Sequence, residues 1–133
     1  MNFRDLEIMA RTIWGEARGE PYNGQVAVGD VIMNRTRHPK RWANTVRGVC
    51  RQKWQFATWL DHDAVHAANK RKMLDVTLED ESLRRAVRAC LDAYDDDITE
   101  GSDHYYADTI EPPPWTKNMT FTRKIGHHLF FRS

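Results

Sequence analysis

Apolar residues recur at helical spacing through most of the chain, and this periodicity restricts its fold more than any other feature. Leu6, Met9 and Ile13 lie three or four residues apart, as one face of an α-helix requires. The pattern predicts helices over residues 3–17, 23–35, 45–51 and 61–73. A fifth helix is predicted from a cap at Asp80 or Ser82 as far as about Tyr94.

The character of the sequence changes after Asp97. Gly101 and three consecutive prolines at residues 112–114 indicate a long loop. Residues 119–131 are rich in Thr, Phe and Ile and alternate weakly, which predicts a short β-ribbon. We therefore expect one domain over residues 1–133, of the α+β class and mostly α, with a small C-terminal β-ribbon.

Bulk composition excludes several classes of protein. The 133 residues carry a net charge of +1, so no strong global field selects a nucleic acid or a membrane as partner. Cys50 and Cys90 lie among apolar residues and predict buried free thiols, with no metal-ligand spacing around them. The start of the chain lacks the basic and apolar regions of a signal peptide, and no apolar run is long enough to span a bilayer. We expect synthesis in the cytosol.

Basic residues are concentrated in the middle of the chain. Residues 31–60 contain no Asp or Glu, and their basic side chains are Arg35, Arg37, Lys40, Arg41, Arg47, Arg51 and Lys53. A solvated face is the simpler interpretation, because most charge runs serve solubility. The alternative is contact with an anionic surface, such as a wall polymer, lipid phosphates or nucleic acid.

One carboxyl has the surroundings of a catalytic acid. Glu16 stands near the end of the first predicted helix, close to Trp14 and before a turn indicated by Gly19 and Pro21. Apolar surroundings disfavour the charged form of a carboxyl and raise its pKa, as a general acid near neutral pH requires. The alternative is a surface glutamate paired with Arg11 or Arg18.

Residues 13–28, which include the run Gly-Glu-Ala-Arg-Gly-Glu, resemble the catalytic signature of the spore-cortex-lytic and cell-wall hydrolase family (SleB/CwlJ type). Further blocks are similar to those of the family in the same order, at residues 34–35, 46–49, 55–57, 104–106, 114–115 and 125–131. Ala57 departs from the usual serine, and we expect no wall-binding repeat beside the domain.

The resemblance implies a lysozyme-like fold and cleavage of peptidoglycan between N-acetylmuramic acid and N-acetylglucosamine. In the family this is a lytic transglycosylase reaction that ends in 1,6-anhydromuramic acid, and its acid corresponds to Glu16. The substrate's own 6-hydroxyl is the nucleophile, so one carboxyl suffices. We expect no cofactor and no metal, glycan strands as partner, no nucleic acid, and a monomer.

Glu20 leaves the mechanism open, because two carboxyls at suitable separation would instead suit a muramidase. Gly19 and Pro21 argue against a continuous helix between Glu16 and Glu20, so we assign Glu20 a secondary role in orienting Arg18 or capping the next helix. The predicted substrate contacts are mostly aromatic or amide side chains suited to sugars, and comprise Glu20, Gln55, Phe56, Trp59, His104, Tyr105, Tyr106, Trp115 and His127. Tyr105 and Tyr106 are placed on a loop.

Two other functions remain alternatives. His62 and His66, four apart on a predicted helix with Asp63 beside the first, imitate a zinc-binding pair and would suit a metal-dependent amidase or peptidase. The basic stretch would suit a non-enzymatic nucleic-acid or envelope-binding module. If the chain is a lytic enzyme, the expected absence of a signal peptide fits a phage or prophage endolysin that reaches the wall after release from the cytosol.

Overall fold

A computed structural model describes all residues, 1–133. The helices are α1 (Phe3–Ala17), α2 (Tyr22–Thr36), α3 (Val46–Arg51), α4 (Ala64–Asp75) and α5 (Glu81–Asp95). The strands are β1 (His104–Ala107), β2 (Thr120–Ile125) and β3 (His128–Arg132), and 3₁₀ turns occupy Ala57–Trp59 and Pro114–Asn118. The predicted α+β architecture, mostly helical, is therefore confirmed.

Side-chain caps explain where most of the helices begin. Asn2 and Asp5 form a capping box on α1, while Thr45, Asp63 and Asp80 accept backbone N–H groups at the starts of α3, α4 and α5. Two predicted starts were wrong. The second helix starts at Tyr22 after Pro21 rather than at a cap on Asn23, and α4 starts at Ala64, so His62 lies before that helix.

The predicted ribbon corresponds to β2 and β3, which pair antiparallel. The prediction of a loop at Tyr105 and Tyr106 was wrong, because β1 pairs with β3 and completes a sheet of order β1–β3–β2. Tyr105 lies opposite Phe130 in this pairing. β1 is only four residues long and none of its side chains is fully buried, so it lacks the alternation that identifies a strand from sequence.

Helix α2 lies at the centre of the molecule and is buried over nearly its whole length. Gly29 allows α5 to approach closely, because a Cβ on Gly29 would lie 2.8 Å from the Cβ of Ala93. Apolar residues of α1, α2, α3 and α5 join Phe130 of the sheet in one core. The central helix therefore gives the sheet and the outer helices a common support.

Three polar residues of α2 fix the loop that leads into β1. The Asp30 carboxylate oxygen Oδ2 accepts the Ile98 N–H at 2.9 Å, and Asn34 donates to the Ser102 carbonyl at 2.9 Å. Arg35 donates from Nε to the Asp103 carbonyl at 2.9 Å. Burial, despite the Ile98 N–H, raises the pKa of Asp30 to about 8. These three hydrogen bonds fix the position of β1, and with it Tyr105, relative to α1.

The basic stretch of residues 31–60 is not one continuous charged face. Arg35 is buried, which the sequence analysis did not anticipate, and Arg47 pairs with Asp5 at 3.2 Å. Lys40, Arg41, Arg51 and Lys53 remain exposed. Both cysteines are buried free thiols, as predicted. No helix combines the length and apolar character needed to cross a bilayer.

Candidate active site

The Glu16 carboxyl lies in the last turn of α1 and is held by groups from two distant parts of the chain. Its Oε1 accepts the Tyr105 hydroxyl at 2.8 Å, and its Oε2 accepts the backbone N–H of Thr58 at 3.1 Å. Neither arginine considered as a surface partner binds it. Arg18 stacks over the Trp14 ring at 4.1 Å, and Arg11 pairs with Glu7 and donates to two backbone carbonyls. Glu16 is thus half-buried and oriented.

The electrostatic environment of Glu16 suits a proton donor. Burial raises the pKa of the Glu16 carboxyl, and this effect exceeds the opposing effects of the Tyr105 hydroxyl, the Thr58 N–H and the positive charge of Arg35. A raised pKa keeps more of the carboxyl protonated toward neutral pH. The two hydrogen-bond donors and Arg35 would then stabilise the carboxylate that remains after the proton leaves.

Arg35 is a buried cation near this carboxyl, although its place in a basic stretch predicted a surface charge. Besides its bond to the Asp103 carbonyl, its guanidinium donates to Gln55 Oε1 at 3.3 Å and lies over the Phe56 ring at 5.3 Å. Both acceptors are uncharged. The positive charge is therefore not neutralised by a direct carboxylate partner, and its field reaches Glu16.

Gly15 permits the contact between Glu16 and the Thr58 N–H. A Cβ on Gly15 would lie 1.8 Å from the Thr58 hydroxyl oxygen and 2.5 Å from its Cβ, closer than real atoms approach. The 3₁₀ turn Ala57–Trp59 can therefore pack onto α1 only because residue 15 has no side chain. Thr58 is itself buried, and its hydroxyl contacts the Met73 sulfur at 3.1 Å.

Two cavities lie along this 3₁₀ turn. The first, of about 190 Å³, is lined by Gly15, Glu16, Arg18, Ala57, Thr58, His66 and Asn69. The second, of about 370 Å³, has aromatic and basic walls that include Arg51, Lys53, Trp54, Trp59 and His62. Trp59, a predicted sugar contact, is half-buried and donates to Thr12 at 2.9 Å, so its ring is held rigidly at the second cavity.

Glu20 supports the sheet, and it neither orients Arg18 nor caps α2 as predicted. Its Oε1 accepts the backbone N–H of His127 at 2.8 Å, its Oε2 lies 3.0 Å from His127 Nδ1, and Pro21 occupies the cap of α2. Burial alone would raise the pKa of Glu20, but these bonds and the charges of His127 and His128 lower it overall. A Cβ on Gly126 would lie 2.7 Å from Glu20 Oε1, so this turn fits the carboxylate closely.

The other predicted substrate contacts fall into separate groups. Tyr105 points to Glu16, whereas its neighbours His104 and Tyr106 lie on the opposite face of β1 and pack on Trp115, with ring centroids 5.0 and 6.1 Å away. Gln55 is exposed beside Arg35, and His127 is exposed at the β2–β3 turn. Phe56 is a core residue with 2% exposure that borders the second cavity, so a sugar contact by its ring stays a prediction.

Two members of the site, Thr58 and Arg35, were not predicted from the sequence. Thr58 contributes a backbone N–H, which no side-chain pattern reveals, and its hydrogen bond spans 42 positions of the chain. Arg35 could have been suspected because it sits inside the apolar period of the second helix, where an unpartnered charge is rare.

Comparison with known proteins places this geometry in a family. The family model described as Cell Wall Hydrolase matches residues 19–131. The spore cortex-lytic enzyme of Bacillus subtilis is 31% identical over 126 residues, and that of Halalkalibacterium halodurans is 32% identical over 126 residues. Each alignment covers 95% of this chain but only 37% and 34% of the relative, so the chain spans about a third of their length.

Two solved structures share the fold. The catalytic domain of the germination-specific lytic transglycosylase SleB from Bacillus anthracis has a TM-score of 0.77 and 31% identity, with 99% of this chain and 97% of that chain covered. The catalytic domain of the Bacillus cereus SleB protein also has a TM-score of 0.77, at 32% identity, with 98% and 91% covered. The predicted lysozyme-like α+β fold is confirmed, and the chain belongs to the cell wall hydrolase family.

Proposed function

We propose that this chain cleaves the glycan strands of peptidoglycan between N-acetylmuramic acid and N-acetylglucosamine, as a lytic transglycosylase with Glu16 as its acid and base. The observation that carries the proposal is the Glu16 carboxyl itself. It lines a cavity, its pKa is raised by burial, and the Tyr105 hydroxyl and the Thr58 N–H hold it at 2.8 and 3.1 Å. The B. anthracis SleB domain that shares this fold is a lytic transglycosylase, which supports the same reaction.

The proposed reaction needs one proton donor that is later restored. Protonated Glu16 gives its proton to the glycosidic oxygen, and the bond from that oxygen to C1 of the muramic acid breaks. The 6-hydroxyl of the same sugar forms a new bond to C1, and its proton passes to the Glu16 carboxylate. The products are a 1,6-anhydromuramic acid end and a free 4-hydroxyl on N-acetylglucosamine. No water is consumed, and Glu16 is again protonated.

The position of Glu20 favours this one-carboxyl reaction over a muramidase with two catalytic carboxyls. Both Glu20 oxygens accept hydrogen bonds from His127, and His128 Nδ1 lies 3.8 Å from Oε1. These contacts lower the pKa of Glu20. The hydrogen bonds of Glu16 come from a hydroxyl and an amide, not from a second acid. With Glu20 committed to the β2–β3 turn, the anhydro reaction fits because the substrate's own 6-hydroxyl serves as nucleophile and no second carboxyl is needed.

Mass spectrometry of the products tests the proposal. Digestion of purified peptidoglycan should release muropeptides that end in 1,6-anhydromuramic acid, about 18 Da lighter than the corresponding hydrolysed ends because one water is not added. Reducing ends would instead indicate a muramidase, and freed peptides with intact glycan would indicate the amidase alternative. Either result would contradict the proposed reaction.

The same digestion addresses the biological setting. We propose an endolysin-like role, in which the enzyme is released from the cytosol onto the wall of growing cells and contacts the anionic envelope through Lys40, Arg41, Arg51 and Lys53. The exposure of these four basic side chains supports the proposed contact with the envelope. The curated relatives are named for spore cortex, so vegetative sacculi and spore cortex should be digested in parallel. An endolysin-like enzyme should clear vegetative sacculi, whereas activity confined to cortex would contradict this role.

Removal of the Tyr105 hydroxyl should change the pH dependence of cleavage. Cleavage requires protonated Glu16, so activity is lost as the pH rises through the pKa of that carboxyl. The Tyr105 hydroxyl lowers this pKa by stabilising the carboxylate. Tyr105→Phe should therefore raise the pKa further and move the alkaline limb of kcat/KM to higher pH.

The matched control is Tyr106→Phe, which removes a hydroxyl from the opposite face of β1 and should leave that limb in place. Rates of sacculus clearing measured across a pH series provide the comparison. A Tyr105→Phe limb that stays in place or moves to lower pH would show that Glu16 is not the acid whose ionisation controls the rate.

A further inference from the structure

His62, Asp63 and His66 form an exposed cluster at the start of α4. Each offers one donor atom, and these atoms all lie within 4.8 Å of one another. Asp63 Oδ1 caps the helix by accepting the His66 N–H at 2.8 Å. Asp63 Oδ2 lies 3.3 Å from His62 Nε2 and 2.9 Å from His66 Nδ1, and the imidazole centroids are 4.5 Å apart. Three potential ligand atoms therefore lie close together.

We propose that His62, Asp63 and His66 bind one divalent transition-metal ion, with Zn²⁺ as the probe. A tetrahedral zinc ion with bonds of about 2.0–2.1 Å holds its ligand atoms about 3.3 Å apart. The gaps from Asp63 Oδ2 to the two imidazoles already lie near this value. The imidazole nitrogens of His62 and His66, which lie within 4.8 Å of each other, would approach by rotation of the rings. A hydrogen bond now joins His66 Nδ1 and Asp63 Oδ2, and the metal ion would take its place.

The surroundings are compatible with a bound cation. The ring of Trp54 packs against His62 with centroids 5.3 Å apart, which limits the freedom of that imidazole. The neighbouring Asp61 carboxylate is already paired with Lys70 at 3.0 Å, so these two charges offset each other. Lys53 lies over the Trp54 ring at 5.6 Å, and its positive charge would repel a cation bound at His62. Two imidazoles and one carboxylate favour zinc, copper or nickel over magnesium or calcium.

This site differs from the metalloprotease arrangement considered in the sequence analysis. His62 lies before α4, so the two imidazoles are brought together by the capping turn around Asp63 and not by one helical face. Asp63 itself takes a ligand position, and the Asp61 carboxylate is paired with Lys70, so neither acid is free to act as base. The inferred role is metal binding and not metal-dependent cleavage of a peptide.

Isothermal titration calorimetry with zinc chloride tests the site without reference to activity. One Zn²⁺ should bind per chain, while magnesium chloride at the same concentration should give no comparable heat. His62→Ala, His66→Ala and Asp63→Asn should each weaken zinc binding by about tenfold or more. Asp63→Asn is the most informative variant, because asparagine keeps the helix cap but removes the charged ligand. His38→Ala, which removes an exposed histidine elsewhere, should bind zinc as the parent does.

The proposal is overturned if zinc does not bind, or if Asp63→Asn and His62→Ala bind as tightly as the parent. Loss of binding in His38→Ala alone would place the metal elsewhere and would also overturn it. Circular dichroism should show the parent helix content in each variant, so that an altered affinity reflects the ligand and not the fold.

Zinc at this site should also inhibit cleavage, an effect that rests on the proposed function. His66 lines the cavity that contains Glu16, so a bound cation would favour the Glu16 carboxylate and deplete the acid form. Zinc should slow sacculus clearing by the parent and have less effect on Asp63→Asn. Equal inhibition of both would overturn this coupling. An enzyme that fails to cleave without zinc would contradict the proposed function instead, and calorimetry would still decide the site.

Discussion

Glu16→Gln is expected to reduce peptidoglycan cleavage by about 10³-fold, since general acid catalysis contributes roughly 10²–10⁴-fold and glutamine cannot donate the proton. Glutamine has nearly the same shape, and its amide oxygen can still accept the Thr58 N–H that binds Glu16 Oε2. The variant should therefore fold and lose activity mainly in kcat. Turbidity loss of purified sacculi, with thermal unfolding of the same sample, measures both quantities.

Two other glutamates serve as controls for this result. Glu7→Gln changes an exposed glutamate on the same helix, paired only with Arg11, and should clear sacculi at the parent rate. Glu20→Gln should lose far less activity than Glu16→Gln, because its partner is the His127 turn and a glutamine oxygen can still accept one hydrogen bond. A greater loss for Glu20→Gln than for Glu16→Gln would contradict the assignment of the acid.

Gly15→Ala is expected to cause a large loss of both stability and activity. The added Cβ would overlap the Thr58 side chain, with its hydroxyl oxygen at 1.8 Å, so α1 or the 3₁₀ turn must move. Overpacking of this kind costs about 1–3 kcal/mol, which exceeds the roughly 1 kcal/mol that alanine gains over glycine within a helix. Because the turn carries the Thr58 N–H, a displacement of about 1 Å should lower kcat by about 10²-fold.

Gly19→Ala provides a matched control for Gly15→Ala. It makes the same chemical change four residues later, where a Cβ would meet nothing within 4 Å. Its free energy of unfolding and its rate of clearing should equal those of the parent within about 0.5 kcal/mol and a factor of about two. If Gly15→Ala unfolds at the same denaturant concentration as Gly19→Ala, the close approach of Thr58 does not hold the turn rigidly against α1.

The two predictions concern two different requirements of one site. Glu16 supplies the proton, whereas Gly15 allows the backbone of a separate segment to reach that carboxyl. Such preorganised donors stabilise a charge without reorganising during the reaction. The raised pKa of Glu16 keeps the carboxyl protonated before the reaction. The hydrogen-bond donors, which oppose this shift, stabilise the negative charge that Glu16 carries after it releases the proton.

Much of the secondary structure follows from local sequence. The first helix matches its predicted bounds because an apolar stripe that includes Met9 and Ile13 follows a capping box at Asn2. For α5, the sequence predicted a cap at Asp80 or Ser82, and Asp80 is the residue that caps the helix. β1 was missed because a four-residue strand has no local period, and its pairing with β3 connects positions far apart in the chain.

The sequence by itself determined which groups are chemically available. It provided a glutamate at the end of a helix, a glycine before it, and a polar turn after it. Only the tertiary structure decided what surrounds that glutamate. Tyr105, which lies 89 positions away, and Thr58, which lies 42 positions away, reach the carboxyl because α2 holds β1 in place and Gly15 admits the 3₁₀ turn.

The same distinction explains the different positions of the two neighbouring glutamates. Glu16 and Glu20 belong to one short motif and have the same intrinsic chemistry. Apolar neighbours predicted a raised pKa for Glu16, but nothing near Glu20 in the sequence predicted its partner. Folding raises the pKa of Glu16 by burial and lowers that of Glu20 through His127, which comes from the other end of the chain. Burial and long-range hydrogen bonds are set by packing, and local sequence does not encode them.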